Sequence, residues 1–350
     1  MRFGYWLPVF GGWLRNIPDE GMDATWPYVK RLVQRSEELG YDLTLIAELF
    51  LNDIKGIEAP ALDAWSTAAA LAAVTTRIEL MVAVRPTFHH PATLAKQAAN
   101  IDRISNGRLS LNVVSSWWKD EARRYGSTFD LHDDRYARTA EWLDVLHGAW
   151  REPSFSFKGT YYEVDELVVA PKPVLLRGRP HPVIYAGGES ETAKSLIAGQ
   201  CDAYVMHGDP PDRIAAKVAD IRARREKTGK RPMQYGMAAY AIVRDTEAAA
   251  QRELERITNV QSGSPGFHNY QDWIANTQLE QSLSLQDYSV SNRGLRAGLV
   301  GTAEQVADRI REFEAAGVGL LLLQCSPQLE EMERIAEQVM PLVARHAVAA

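Results

Sequence analysis

The chain has 350 residues, 46% hydrophobic and 24% charged, the balance of a globular protein with a core large enough to enclose a ligand. A formal net charge of −6 argues against nucleic acid or an anionic membrane surface as partner, and no apolar run approaches the roughly 20 residues of a membrane helix. The two cysteines, Cys201 and Cys325, exclude a disulfide scaffold and a four-cysteine zinc site, and read as small buried hydrophobes in a reducing compartment.

Strand-length apolar runs lie at 3–9, 43–47, 78–84, 108–114, 182–186, 203–207, 236–243 and 320–324. Most are near-continuous rather than alternating, as parallel strands covered on both faces require. Helix-period segments fall between them: 23–39, closed by Gly40, then 64–74, 92–104 behind His90-Pro91, and 135–150 behind an Asp133-Asp134 cap signal. Further segments span 191–198, 211–227, 247–257, 303–316 and 330–344. Strands each followed by a helix predict an α/β protein, a (β/α)8 TIM barrel. The first strand runs into Pro8-Val9-Phe10-Gly11-Gly12, without the glycine spacing of a dinucleotide-binding fold.

A bare barrel takes about 250 residues, so 1–350 reads as one barrel domain with two insertions. The first, 115–181, contains a hairpin at 155–162 turning on Gly159. The second, 258–301, is rich in Gln, Ser, Asn and Gly, carries two short helical patterns, and has the length and composition of an active-site lid. The N-terminal residues lack the apolar core of a secretion signal, so a cytoplasmic protein is expected.

Barrel sites form at the carboxyl ends of the strands. The residues there are Trp6 and Pro8, Glu48, Arg85-Pro86-Thr87, 112–118, Gly187-Gly188-Glu189-Ser190, His207-Gly208-Asp209, Tyr240 and Gln324-Cys325-Ser326. The set is aromatic, amide- and hydroxyl-bearing, which suits a large planar cofactor better than a metal-activated water. His89-His90 are adjacent and cannot share a helical face, His132-Asp133-Asp134 reads as a helix start, and no metal site is expected. The turn 187–190 before a helix can hold a phosphate on backbone N–H groups and the Ser190 hydroxyl, provided Glu189 and Glu191 point away. Arg135-Tyr136 can supply a cation and a phenol to the same phosphate, or be a solvated first turn. Trp117-Trp118 await a cover, either the lid or a stacked ring system. Arg293 and Arg296 are surface charges or the lid's contribution to a polar ligand. His207 and Tyr240 are either core residues or donors to a substrate and proton relays.

Several segments resemble the bacterial luciferase-like, reduced-flavin-dependent monooxygenases: Asp63-Ala64-Trp65, Lys96-Gln97-Ala98-Ala99, the run 101–112, Asn112-Val113-Val114, Asp134-Arg135-Tyr136, 186–190 and Leu299-Val300-Gly301-Thr302. Four stretches are particularly similar to the dimethyl-sulfone monooxygenases of that superfamily: YWLPVFGGWLRN (5–16), NDIKG (52–56), VVSSWW (113–118) and YSVSNRGL (288–295).

The resemblance implies non-covalent reduced FMN, delivered by a separate NADH-dependent reductase to a homodimer or homotetramer. It implies that dimethyl sulfone and O2 give methanesulfinate and formaldehyde in sulfur metabolism. FMN contacts are implied at Ile54, Lys55, Ala83, Asn112, Glu121, Arg135, Tyr136, Gly188 and Ser190, with Tyr136 and Ser190 on the phosphate. Asn112 and Trp117 are implied near the reactive edge of the ring, and Arg293 at the base of the lid. A non-prolyl cis peptide at Ala83–Val84 is expected from related barrels.

Ala61, Tyr240 and Ser326 stand where the related alkanesulfonate monooxygenases carry Cys, His and Tyr, and Ala238 replaces an arginine. Losing that cation suits a neutral sulfone rather than a sulfonate. An alkanesulfonate monooxygenase and a deazaflavin-dependent dehydrogenase on the same scaffold are the rival readings.

Overall fold

The computed structural model describes residues 1–15, 17, 20–174, 180–259, 284 and 287–349. All the expected barrel strands form: β1 (Arg2–Leu7), β2 (Leu43–Ile46), β3 (Glu79–Val84), β4 (Leu109–Val113), β7 (Val183–Ala186), β8 (Ala203–Met206), β9 (Gln234–Val243) and β11 (Leu320–Gln324). Three short strands join them, β5 (Phe155–Lys158), β6 (Glu163–Leu167) and β10 (Leu299–Gly301). Parallel pairing runs β9-β11-β1-β2-β3-β4-β7-β8, and β8 pairs back onto β9. The sheet therefore closes into the (β/α)8 barrel, with β10 added outside it along the end of β9, Leu299 opposite Ala241.

Alternation along the strands assigns their two faces. The Tyr5 hydroxyl is hydrogen-bonded to Ser36 of α1 (Trp26–Glu38) at 2.7 Å, so Tyr5 faces the helices and its neighbours Gly4 and Trp6 face the barrel interior. At the amino-terminal end of the barrel, Arg2 donates to Glu79 at 2.8 Å, and the Tyr185 hydroxyl donates to the same carboxylate at 3.3 Å. This group plugs one mouth and leaves the carboxyl ends of the strands for a site.

The helices start where side chains can satisfy free N–H groups. Asp63 accepts from the Ser66 amide at 2.8 Å to cap α2 (Ala64–Val74), and α3 (Pro91–Ile104) begins with proline. The helix expected at 135–150 is longer, α5 (His132–Arg151). Asp133 and Asp134 do not cap it but lie in its first turn, where carboxylates favour the positive end of the helix dipole. Helix α6 (Glu191–Gln200) follows the predicted turn, with Ser190 accepting from the Ala193 amide at 3.2 Å.

Other elements differ from expectation. A short helix, α4 (Lys119–Arg124), is too brief to show a period in sequence. The hairpin in 115–181 extends past 162: Gly159 donates to the Tyr162 carbonyl at 2.9 Å, and β6 runs on to Leu167. The terminal helix begins at Gln328 and contains a π-helical turn at Ile335–Val339. No cis bond occurs at Ala83–Val84. The described residues contain two cis bonds, Ala170–Pro171 and Ser326–Pro327. Ala83 and Val84 instead keep the regular parallel register with Asn112 and Val113, which a trans peptide permits. Most of the expected lid, 260–283 with 285 and 286, lies outside the described residues; its final part forms 3-10 turns at Asp287–Ser289 and Ser291–Ala297. No described helix is long and apolar enough to cross a membrane.

Candidate active site

The open end of the barrel holds a cavity of about 1640 Å³, counting the part open to solvent. Its floor is made by inward residues at the strand ends: Trp6, Ala83, Asn112, Val205, Ala238 and Gln324. Its walls come from the loops that follow, including Trp13, Ile54, Arg85, Trp117 and His207, and from Tyr136 in the first turns of α5, and the 3-10 turn bearing Arg293 lies along its rim.

One part of the cavity lining could hold an anion. Gly188 lines it, and a side chain there would press on Ala193 Cβ at 2.6 Å and Tyr136 Oη at 3.1 Å, so glycine is what lets the turn approach the phenol. The Tyr136 hydroxyl is hydrogen-bonded to Ser190, the N-cap of α6, and burial pushes its pKa up. Arg135 is buried beside it, donates to the Asp130 carbonyl at 2.9 Å and lies over the Phe129 ring at 4.5 Å.

The two carboxylates beside this turn are neutralised elsewhere. Glu189 is paired with Lys217 at 2.9 Å and with Arg293; Glu191 is exposed and pairs with Arg224 at 2.8 Å. Burial would raise the Glu189 carboxyl, yet His207, Arg293 and Lys217 around it hold it far below the usual range. Lys217 also binds Asp209 at 2.6 Å, and Arg296 reaches the same Asp209 carboxylate at 3.6 Å. The 287–297 segment is thus tied to the barrel by a buried charge network.

Another part of the lining is aromatic and apolar. Trp117 lies parallel to the buried Trp118, ring centroids 5.5 Å apart and 5° between planes, and presents to the cavity with Ile54, Ala83, Val114 and Met206. The preceding Ser116 holds φ +58, an unfavourable conformation for a side-chain-bearing residue. The Ser116 Oγ is buried without a hydrogen-bond partner, as are Trp6 Nε1 and both amide atoms of Gln324. Loss of hydration and the nearby Arg293 charge lower His207 to about 4, so its ring is neutral at neutral pH.

Of the residues expected in the site, Ile54, Ala83, Asn112, Trp117, Arg135, Tyr136, Gly188, His207 and Arg293 surround this one cavity, and Ser190 reaches it through Tyr136. Three do not line it. The Lys55 ammonium is occupied by the Leu14 and Ile17 carbonyls and by Glu20 at 2.6 Å. Glu121 is paired with Arg85 and accepts from the Phe50 amide at 2.6 Å. Tyr240 is fully buried beneath the 3-10 turn: a Cβ on Gly294 would stand 2.7 Å from its backbone nitrogen.

Sequence reasoning also missed Arg15 and Asp53, joined at 2.9 Å in the cavity wall, and Lys217. Arg15 and Asp53 fall within the stretches 5–16 and 52–56 and Lys217 within a helix, and each is placed by a partner distant in sequence. Among the described residues no group of three or more His, Cys, Asp or Glu could hold a metal ion.

The donor set fits a flavin mononucleotide: a turn and phenol able to hold an anion, a flat aromatic wall, and buried polar atoms without partners. Comparison with known proteins agrees. The family model described as luciferase-like monooxygenase matches residues 1–319. FMNH2-dependent dimethylsulfone monooxygenases of Pseudomonas putida and Pseudomonas fluorescens are each 31% identical, the alignments covering 98% of this chain and 95% and 94% of theirs. A riboflavin lyase solved with modified FMN and riboflavin shares the fold, with TM-score 0.84 and 21% identity, over 100% of this chain and 92% of that one.

Proposed function

Since the chain belongs to the luciferase-like monooxygenases, we propose that it is a reduced-FMN-dependent dimethyl-sulfone monooxygenase. The reaction balances as dimethyl sulfone, O2 and reduced FMN giving methanesulfinate, formaldehyde, water and oxidised FMN. The observation that carries this reading is the division of one cavity into an anion cradle at Gly188, Tyr136 and Ser190 and an aromatic wall at Trp117, in a chain 31% identical over nearly its whole length to enzymes of that name.

Reduced FMN, when bound, supplies the electrons that activate O2. Its phosphate would be held by Tyr136, the Ser190 hydroxyl, Arg135 and the first N–H groups of α6, where the helix dipole favours negative charge. Trp117, Ile54 and Ala83 would pack the ring system, and the Asn112 amide would hydrogen-bond near its reactive edge. His207, neutral by virtue of its surroundings, can donate or accept a hydrogen bond without adding charge. The 258–301 insertion, fastened at Arg293, would exclude water, which competes for the activated oxygen. In this reading 1–350 works as one barrel domain, as a homodimer or homotetramer in the cytoplasm, supplied by a separate NADH-dependent reductase.

Ala238 lines the cavity and brings no cation there, which favours a neutral sulfone over a sulfonate anion. The test is anaerobic calorimetry with reduced FMN, then mixing with O2 and either dimethyl sulfone or methanesulfonate. Binding of reduced FMN, with formaldehyde and methanesulfinate formed from the sulfone, is expected. No binding, or turnover of methanesulfonate alone, overturns the reading.

A further inference from the structure

Gln324 ends β11 with no accessible surface, and neither its amide nitrogen nor its amide oxygen has a hydrogen-bond partner. Parallel pairing sets Tyr5 opposite Leu323, so the next inward residue of β1, Trp6, stands beside Gln324. The Trp6 Nε1 is likewise buried and without a partner. Both residues line the cavity floor. Buried polar groups are almost always hydrogen-bonded, and two adjacent exceptions on one cavity floor call for a ligand that completes them.

The charges around the same floor say what kind of ligand. Arg15 is paired with Asp53, Arg85 with Glu48 at 3.3 Å and with Glu121, and Arg293 with Glu189. The donors that remain on the floor are neutral N–H groups, and burying an anion against them without a counter-charge is unfavourable. A small neutral molecule with oxygen acceptors is the match.

We propose that Gln324 and Trp6 form the oxygen-binding subsite for the substrate, the Gln324 amide and the Trp6 indole N–H donating to the sulfonyl oxygens and so orienting the substrate. The assignment rests on the proposed function and deepens it by naming the residues that hold the substrate. Gln324 is then a binding and specificity residue whose side chain is spent on ligand rather than on the fold.

The test uses the full chain with a flavin reductase and the variants Gln324→Leu and Trp6→Phe. Each is expected to raise KM for dimethyl sulfone about tenfold, the value of one good hydrogen bond, and to raise hydrogen peroxide released per formaldehyde formed. Reduced-FMN affinity should stay within about twofold of wild type, well below the tenfold of one lost hydrogen bond. The Tm of Gln324→Leu should hold or rise, because an unsatisfied amide is removed. An unchanged KM in both variants overturns the proposal, and so does a loss of reduced-FMN affinity that matches the rise in KM, which would make these residues flavin contacts. If wild type itself leaves dimethyl sulfone untouched, the functional reading has failed instead; wild-type turnover with an indifferent Gln324→Leu and Trp6→Phe sinks this assignment alone.

Discussion

Arg293 and Glu189 form an ion pair with side-chain exposures of 1% and 3%. The residues are 104 positions apart in sequence, one in the last turn of the second insertion and the other beside the anion cradle. Arg293 holds φ +53, and its carbonyl lies so near Gly208 that a Cβ there would come within 2.5 Å. The arginine therefore fastens the rim of the cavity to its wall, and its charge is already spent.

Arg293→Ala should uncouple the reaction, releasing hydrogen peroxide at the expense of formaldehyde. Breaking a buried pair of this kind costs roughly 3 kcal/mol, the lower end of the usual range because Lys217 still serves Glu189. Urea unfolding reads the stability, and a peroxide assay beside a formaldehyde assay reads the coupling. Unchanged coupling would remove the rim from the mechanism.

The anion cradle predicts that Tyr136→Phe and Ser190→Ala each weaken reduced-FMN binding about tenfold, one hydrogen bond apiece. Gly188→Ala should do more, since its methyl meets Ala193 and the Tyr136 hydroxyl. Anaerobic calorimetry gives the affinities directly, and affinities equal to wild type in all three variants would displace the phosphate from this turn.

Glu121 and Arg85 belong to a buried cluster in which Glu48 also accepts from the Arg85 amide at 2.9 Å and contacts His89 at 2.6 Å. Removing the cation leaves two carboxylates in a low-dielectric wall. Arg85→Met is expected to lower stability by roughly 3–5 kcal/mol. Glu121→Gln should lower Tm while leaving reduced-FMN affinity in place, the opposite of what a flavin contact would do. Thermal melts paired with flavin titration separate the two.

His207 has an ordinary value of 6.5 and falls to about 4 in the folded chain. Its folded pKa is the lower one, so the unfolded state takes up the proton first as pH drops. The stability it contributes is whole above 6.5 and drains away between 6.5 and about 4. Glu189, also held below its unfolded value, loses its contribution on further acidification. Urea midpoints across this range should fall for wild type and flatten for His207→Gln, and kcat should show no His207 titration between pH 6 and 8. Tyr240→Phe, altering a residue outside the cavity lining, should leave kcat unchanged.

The barrel was readable from local pattern. Runs such as 320–323 are apolar throughout because both faces of the strand are covered, and that demand acts on each residue where it stands. The positions of Asn112, Trp117, His207 and Gln324 at strand ends followed from the same pattern, since closure gathers all the carboxyl ends at one mouth. What could not be read is which charges meet. Arg15 with Asp53, Arg85 with Glu121 and Arg293 with Glu189 are pairings between segments distant in sequence, and hydrophobic period carries no record of them. Lys55, Glu121 and Tyr240 sat close to the right motifs but are held by partners that turn them away from the cavity or cover them. The placement of Gln324 beside Trp6 exists because β11 returns to β1 across almost the whole length of the chain; strand propensity acts within a few residues, whereas that contact is made by closing the ring.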